Sequence, residues 1–523
     1  MPLVPGVGEG FECSVADLTG VRELVGDYRT AEVICSRFDV AKEGVQTAVI
    51  KYLAKSAGPS ILETNHSMNT EFLLFSGFLV FLMQAGFAML CAGHIRVKNN
   101  MNILLKNLLD CAVGTMAWFL LGNGFAFGEN SKGYANPFIG VGDFALSNTT
   151  TNTRSDSSWH LFFFHWAFSA AAATIVAGAV AERVAFECYM GYTCLMTSFC
   201  ATWGYTCLMT SFVYPVAVHW VWTKWGWLSP FNATPLFGSG AIDFAGGILV
   251  HCVGGTASLI GAYFCGPRIG RFGVNGEVNR DYRETNGNLV VLGTFLLWFG
   301  WYGFNPGSAG SIAGYTSAAV VSRAAVATTL AAGTGGVACL IISFIINRRW
   351  DVMQLCNGVL CGLVAVTPGC GVIDPWAGML VAILGALVFL GADALMLKVQ
   401  LDDVVAAVPM HLGCGAMGTL FVGLFAREEF VKDFYGVNPS AGRRWGAFFG
   451  GDGKLLAAQI VALLVVMLWV ALFFLPYFWA MRRAGLIRVP MEQELAGLDA
   501  SKYGVITTNE LPTMPKPRQK VYM

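Results

Sequence analysis

Two histidines lie where membrane-spanning sequence rarely carries them. His251 falls within DFAGGILVHCVGG (243–255) and His411 within DVVAAVPMHLGCG (403–415), and each follows an aspartate, Asp243 or Asp403, by eight residues. A charged side chain at the bilayer centre costs roughly 2.5 to 3.5 kcal/mol on insertion scales and more in simulations, so an ionisable residue at that depth marks a functional site. A neutral imidazole has one donor and one acceptor nitrogen. Two such rings in contact can share a hydrogen bond, line the path of a small polar molecule or relay a proton. Small residues follow both histidines, Gly254 and Gly255 in one case and Gly413 and Gly415 in the other. They let helix backbones approach closely, which places both histidines where helices cross.

Three aromatic clusters accompany them: FHWAF (164–168), HWVW (219–222) and WYGFNPGS (301–308). Aromatic faces attract cations by roughly 0.5 to 2 kcal/mol each, and a serine hydroxyl accepts a hydrogen bond. Together they have the chemistry of a mouth that selects a small cation able to donate hydrogen bonds. On spacing alone, any one of these aromatics reads as core packing or part of an interfacial belt, and no spacing rule lifts it above that.

The elements that position these residues follow from composition. The chain has 523 residues, of which 55% are hydrophobic and only 13% charged, and its mean hydropathy is +0.57. These values describe a polytopic, all-α membrane protein embedded in a lipid bilayer. The formal net charge of zero and the lack of long like-charge runs give no sign of a nucleic-acid partner. Most of the 15 cysteines lie in apolar segments, where cysteine acts as a small hydrophobe; Cys13 and Cys35 do not. The N-terminus has no basic region followed by a short apolar run, so no cleaved signal peptide is expected.

Counted against the roughly 20 residues a bilayer core requires, eleven apolar spans are expected, at about 71–93, 103–127, 159–181, 187–222, 241–264, 287–305, 318–346, 354–372, 376–397, 404–426 and 454–480. They lie between an N-terminal tail (1–69) and a C-terminal tail (481–523), with a membrane domain over 70–480. An odd number of spans puts the termini on opposite sides. With the N-terminus outside, the inner connections carry Arg96, Lys98, Arg183, Arg268, Arg271, Arg280, Arg283, Arg348, Arg349 and Lys398, as the positive-inside rule asks. The loop from Arg427 to Lys454 is the exception, being basic on the outer side. Sequons at Asn65, Asn148 and Asn232 fall outside on this topology.

The Asp-x7-His unit recurs in the fifth and tenth spans, so the chain reads as two five-helix halves, inverted relative to one another, plus a last helix. A different repeat, GYTCLMTSF, occurs at 191–199 and again at 204–212, with a period of 13. As continuous helix the extra 13 residues add about 20 Å, more than one bilayer crossing holds without protrusion, tilt or looping.

Several long motifs resemble the Amt/Mep/Rh superfamily of ammonium transporters, on its plant-type Amt branch. They are MNTEFLLFSGFLVFLMQAGFAMLCAG (68–93), AERV (181–184), DFAGGILVH, GPRIGRF (266–272), LGTFLLWFGWYGFNPGS (292–308) and GLFA (423–426). The resemblance implies a homotrimer with one pore per subunit, carrying ammonium or methylammonium across the plasma membrane without a metal or other cofactor. By position, Phe164, Phe168, Trp222 and Ser308 resemble the external recruitment site. Phe168 and Phe304 match the stacked phenyl gate, and His251 and His411 the twin pore histidines. Asp243 matches an aspartate near the recruitment site and, as a residue preceding an apolar helix, reads as a structural N-cap. The implied mechanism is deprotonation at the mouth and passage of ammonia, with or without the proton following.

Some positions depart from the family pattern. His165 stands where a glutamine is usual, Ala406 replaces an acidic residue, and Pro409, two before His411, removes a backbone N–H and is expected to kink the tenth span. Cys13 and Cys35 lie in a tail resembling one whose cysteines help hold the trimer together, and an oxidising exterior permits a disulfide there. ELAGLDASKYG (494–504) resembles the family's regulatory segment, with Ser501 in place of a phosphorylatable threonine. A kinase acting there would add about −1.5 to −2 charges. An ammonium sensor signalling through this tail is the alternative function. An enzyme is not expected: there is no HExxH, and no nucleophile or carboxylate adjoins the histidines.

Overall fold

The computed structural model describes residues 14–147, 159–186, 188, 205–279, 282, 285–436 and 443–504. The chain divides into two units, Met1–Glu71 and Phe72–Met523.

In the first unit α1 (Val15–Val25), α2 (Tyr28–Arg37) and α3 (Val40–Glu43) precede the start of α4 (Val45–His94). Each short helix opens on a side chain that takes an early backbone N–H: Ser14 from Asp17, Asp27 from Thr30, and Asp39 from Lys42. Val21, Ala31, Ile34, Cys35, Val40, Ala48 and Val49 form a small core. Cys35 is disulfide-bonded. Cys13 lies outside the described residues.

The second unit is helical. Its spans are the apolar part of α4 (Ile61–His94), α5 (Val97–Phe127), α6 (Trp159–Ala179), α8 (Gly247–Cys265), α9 (Gly287–Ala309), α10 (Tyr315–Asn347), α12 (Pro375–Lys398), α13 (Val408–Phe425) and α15 (Lys454–Arg483). Among the described residues these nine are long and apolar enough to cross a membrane. Two further apolar helices stand where the sequence also led us to expect spans. α11 (Val352–Val366) is 15 residues long and ends before Pro368 and Gly369, after which the chain continues as turns. α7 (205–222) is continuous helix, but the residues just before it are not described. The first copy of the duplication, 191–199, therefore lies outside the described residues, whereas Tyr205–Phe212 of the second copy is helical. Between α13 and α15 lies the short amphipathic α14 (Glu428–Tyr435). After α15 come α16 (Met491–Ala496) and α17 (Leu498–Tyr503).

Packing relies on small residues. Cβ atoms added at Gly335 of α10 or Gly362 of α11 would collide with the backbone of the facing helix, so these two helices touch main chain to main chain.

The histidine-bearing helices start later than hydropathy alone indicated. α8 begins at Gly247 and α13 at Val408, and both open as π-helix, over Gly247–Cys252 and Val408–Gly413. His251 and His411 thus sit close to helix starts. The residues ahead of these helices, though largely apolar, form bends, turns and irregular chain. Pro409 falls in the first turn of α13, where its missing N–H has no intrahelical partner to lose, so it opens the helix instead of kinking it.

Candidate functional site

The two histidines meet. Nδ1 of His411 lies 3.2 Å from Nδ1 of His251, and the rings are near-parallel, 15° apart with centroids at 5.2 Å. A single proton shared between these nitrogens makes one ring the donor and the other the acceptor. Both residues are buried, and Nε2 of His251 has no partner among the described residues. The glycines that follow them form the crossing. A Cβ on Gly415 would stand 3.2 Å from Cβ of His251, and one on Gly255 would run into Leu412.

Asp243 sets the start of α8. Its carboxylate accepts the N–H groups of Gly246 (3.1 Å), Gly247 (2.6 Å), Ile248 (2.9 Å) and Leu249 (2.9 Å). These are donors that a helix start leaves without partners. The backbone carbonyl of Asp243 accepts from Nε1 of Trp222 at 2.7 Å, tying the indole to the helix that carries His251.

Next to the histidines lies a pair of phenyl rings. Phe168 and Phe304, both fully buried, stack with centroids 4.1 Å apart at 20°, and Phe304 stacks in turn on His251 at 5.6 Å. On the far side of Phe168 are Phe164 at 4.7 Å and Trp222 at 5.9 Å. These two line a cavity of 390 Å³ together with His165, Asp243, Ser308 and, from α14, Asp433, Phe434 and Tyr435. The Ser308 hydroxyl donates to the carbonyl of Phe304 at 2.7 Å, leaving oxygen lone pairs to accept.

On the other side of the pair, His411 borders a narrow apolar space of 20 Å³ that Phe87, Ile175, Leu297, Trp301 and Val405 help to line. That is room for about one water-sized molecule. Val405 also borders a wider cavity of 340 Å³ lined by His94, Arg268, Arg271, Asp393, Asp402 and Asp403. Behind its wall is a buried charge cluster. Glu182 takes Arg96 at 2.5 Å and Arg268 at 2.6 Å, and Asp402 takes Arg268 at 2.8 Å and Arg271 at 3.4 Å. Burial pushes the Asp402 carboxyl upward, but Arg183 and Arg268 overcome that and hold it well below the usual carboxylate range.

The C-terminal segment is seated on the same end as this cluster. Asp499 accepts the N–H groups of Met101 (3.0 Å) and Asn102 (2.9 Å), and Asn99 accepts that of Leu498 (2.9 Å). Glu494 accepts from Ile269 at 2.8 Å and pairs with Arg488 at 2.8 Å. Ser501 is exposed, and its hydroxyl donates to the carbonyl of Gly497 at 2.8 Å.

A family model described as the Ammonium Transporter Family matches residues 71–508. The chain belongs to that family. Over 454 residues it is 45% identical to Ammonium transporter 1 member 3 of Solanum lycopersicum, covering 84% of this chain and 92% of that relative. It is 44% identical to Ammonium transporter 1 member 1 of Oryza sativa subsp. japonica, covering 84% and 86%. Among solved structures, the Sensor Amt Protein superposes with a TM-score of 0.71 at 28% identity, covering 84% of this chain and 99% of that one.

Of the residues singled out in the sequence, Phe164, Phe168, Trp222, Asp243, His251, Phe304, Ser308 and His411 fall in one continuous file. Ser501 lies apart, on the C-terminal segment, and Cys35 in the first unit. Sequence reasoning passed over α14, whose EEFVKDFY brings Phe434 and Tyr435 to the cavity. The signal was available as an aromatic pair in an amphipathic stretch. It also left AERV and GPRIGRF without roles, although Glu182 and Arg268 from those motifs meet at 2.6 Å.

Proposed function

We infer that this protein carries ammonium across the plasma membrane, binding the cation at the aromatic cavity, removing its proton and passing ammonia along the histidine pair. The observation that carries this reading is the sequence of environments from cavity to histidines. A cavity with aromatic faces and a hydroxyl acceptor at Ser308 suits a cation that donates hydrogen bonds. The stacked phenyl pair that follows suits exclusion of water and hydrated metal ions, since neither ring can replace a hydration shell. Beyond it, an intact cation faces the penalty of a charge at membrane depth, whereas neutral ammonia faces far less. The shared Nδ1 contact offers the released proton a path; if it is used, transport is electrogenic.

On this reading the subunit has eleven membrane helices in two inverted five-helix halves plus a last helix, and it works as a homotrimer. The N-terminus lies outside, with Cys13 and Cys35 in a disulfide, and the C-terminus lies in the cytoplasm. Phosphorylation of Ser501 by a kinase adds charge two residues from Asp499 and loosens the seated segment, closing the pore.

The test is uptake of labelled methylammonium measured together with current, in transport-deficient cells expressing the wild type, His251→Ala or His411→Ala. The reading requires wild-type uptake and a loss of flux or of selectivity in both variants. Unchanged flux and selectivity in both would remove the histidines from the route. A wild type that takes up nothing yet still signals would favour the sensor alternative, whose support is the likeness to the Sensor Amt Protein.

A further inference from the structure

We propose that His165 is a selectivity-determining acceptor of the aromatic cavity, its neutral ring nitrogen taking one N–H of the incoming cation. This rests on the recruitment reading above and adds to it a contact that separates ammonium from alkali cations of similar size.

The geometry supplies the need and the group. An ammonium ion offers four N–H donors, and aromatic faces satisfy none of them directionally; they hold a potassium or caesium ion by the same attraction. Oxygen acceptors around the cavity are scarce. Ser308 has lone pairs to offer, but Asp243 already accepts four backbone N–H groups. Asp433 faces Arg323 at 3.4 Å, and Ser311 and Ser317 bond each other at 3.2 Å. Tyr435 also lines the cavity.

His165 lines it as well. Its ring rests on Phe127 at 4.3 Å and stands 5.9 Å from Trp222 and 5.6 Å from Phe164, so it is fixed among the aromatics that would hold the cation. Nδ1 is buried with no hydrogen-bond partner among the described residues. Among the described residues no group therefore fixes the tautomer at Nδ1. The ring is free to keep its proton there and turn the Nε2 lone pair to the cavity, so an N–H donor gains a bond that an alkali cation cannot make.

The experiment uses the full-length protein in transport-deficient cells, with wild type, His165→Phe, His165→Leu and His165→Gln compared after normalising to surface protein. Phenylalanine keeps a ring against Phe127 but removes the acceptor; glutamine restores an acceptor without the ring. For His165→Phe the expected result is a rise of about tenfold or more in the KM for methylammonium, the size of one hydrogen bond to a charged group, with Vmax little changed. Caesium should compete relatively better against this variant than against wild type, and His165→Gln should recover most of both properties. His165→Leu reports the same loss if the phenylalanine variant fails to reach the surface. A KM within about twofold of wild type in the acceptor-less variants, unchanged caesium competition, or a glutamine variant no better than phenylalanine would overturn the proposal. Absence of uptake by the wild type would instead count against the transport reading itself.

Discussion

Asp243 and Asp403 stand the same distance ahead of their histidines, yet the two segments are anchored by different forces. Asp243 gathers four backbone N–H groups, and the chain turns beneath it at Gly246, with φ +103. Asp403 accepts from Val408 at 2.6 Å, while its Oδ1 is buried without a partner among the described residues. The matching turn falls on Ala406, with φ +54, a conformation that costs a non-glycine residue about 1 to 2 kcal/mol. What the second segment lacks in capping it recovers one residue earlier. Asp402 binds Arg268 and Arg271 through its carboxylate and Arg183, at 2.6 Å, through its carbonyl. The first histidine's segment is held by a carboxylate that caps backbone N–H groups and the second's by ion pairs, so the two should respond differently to the same insults.

The largest effect should come from Asp402→Ala, which takes the carboxylate from Arg271 and leaves buried Arg268 with Glu182 alone, and should cost about 3 kcal/mol or more, read as a fall in the midpoint of thermal unfolding of the purified protein. Asp243→Ala should follow closely, at about 3 kcal/mol or more for four orphaned N–H groups. Asp403→Ala should cost only about 1 kcal/mol, a typical capping loss. Equal losses for Asp243→Ala and Asp403→Ala would abolish the distinction between the segments.

Acid should discriminate them too. The Asp402 carboxyl titrates lower in the folded protein than in the unfolded chain, so its contribution is complete above about pH 4 and is lost as the pH falls below that value. Unfolding midpoints followed from pH 6 downward, against an Asp402→Asn control, measure this. A wild-type profile as flat as the control would mean that the ion cluster does not anchor the second segment. The smallest effect is a gain: Ala406→Gly should stabilise by about 1 kcal/mol. The reverse change in the first segment, Gly246→Ala, should destabilise, because its Cβ would stand 2.8 Å from Cγ2 of Val250.

Much of the site was legible because its signals are local. The histidines announced themselves by being ionisable in apolar sequence and Phe304 by its place in a long motif, whereas Phe164, Phe168 and Trp222 showed only as members of short aromatic clusters. Helix starts were less legible. Hydropathy counts Ala241 to Ala245 as span although this stretch is not helical, since apolarity reports burial and not helicity. The Glu182–Arg268–Asp402 cluster was invisible because its members, separated by 86 and 134 residues, show no pattern until the fold brings them together. The basic loop after Arg427, an exception to the charge rule, contains the α14 aromatics for the same reason: a side chain's sign says nothing of which cavity it will border.

Beside His411 the free space narrows to 20 Å³. On the proposed route it holds one molecule of ammonia's size, so passage is serial and each occupant must leave before the next enters. Turnover would then depend on how quickly Phe87, Leu297 and Val405 yield. Methylammonium, longer by a methyl group, should queue behind that motion, making it a slower tracer than the ion for which it stands in.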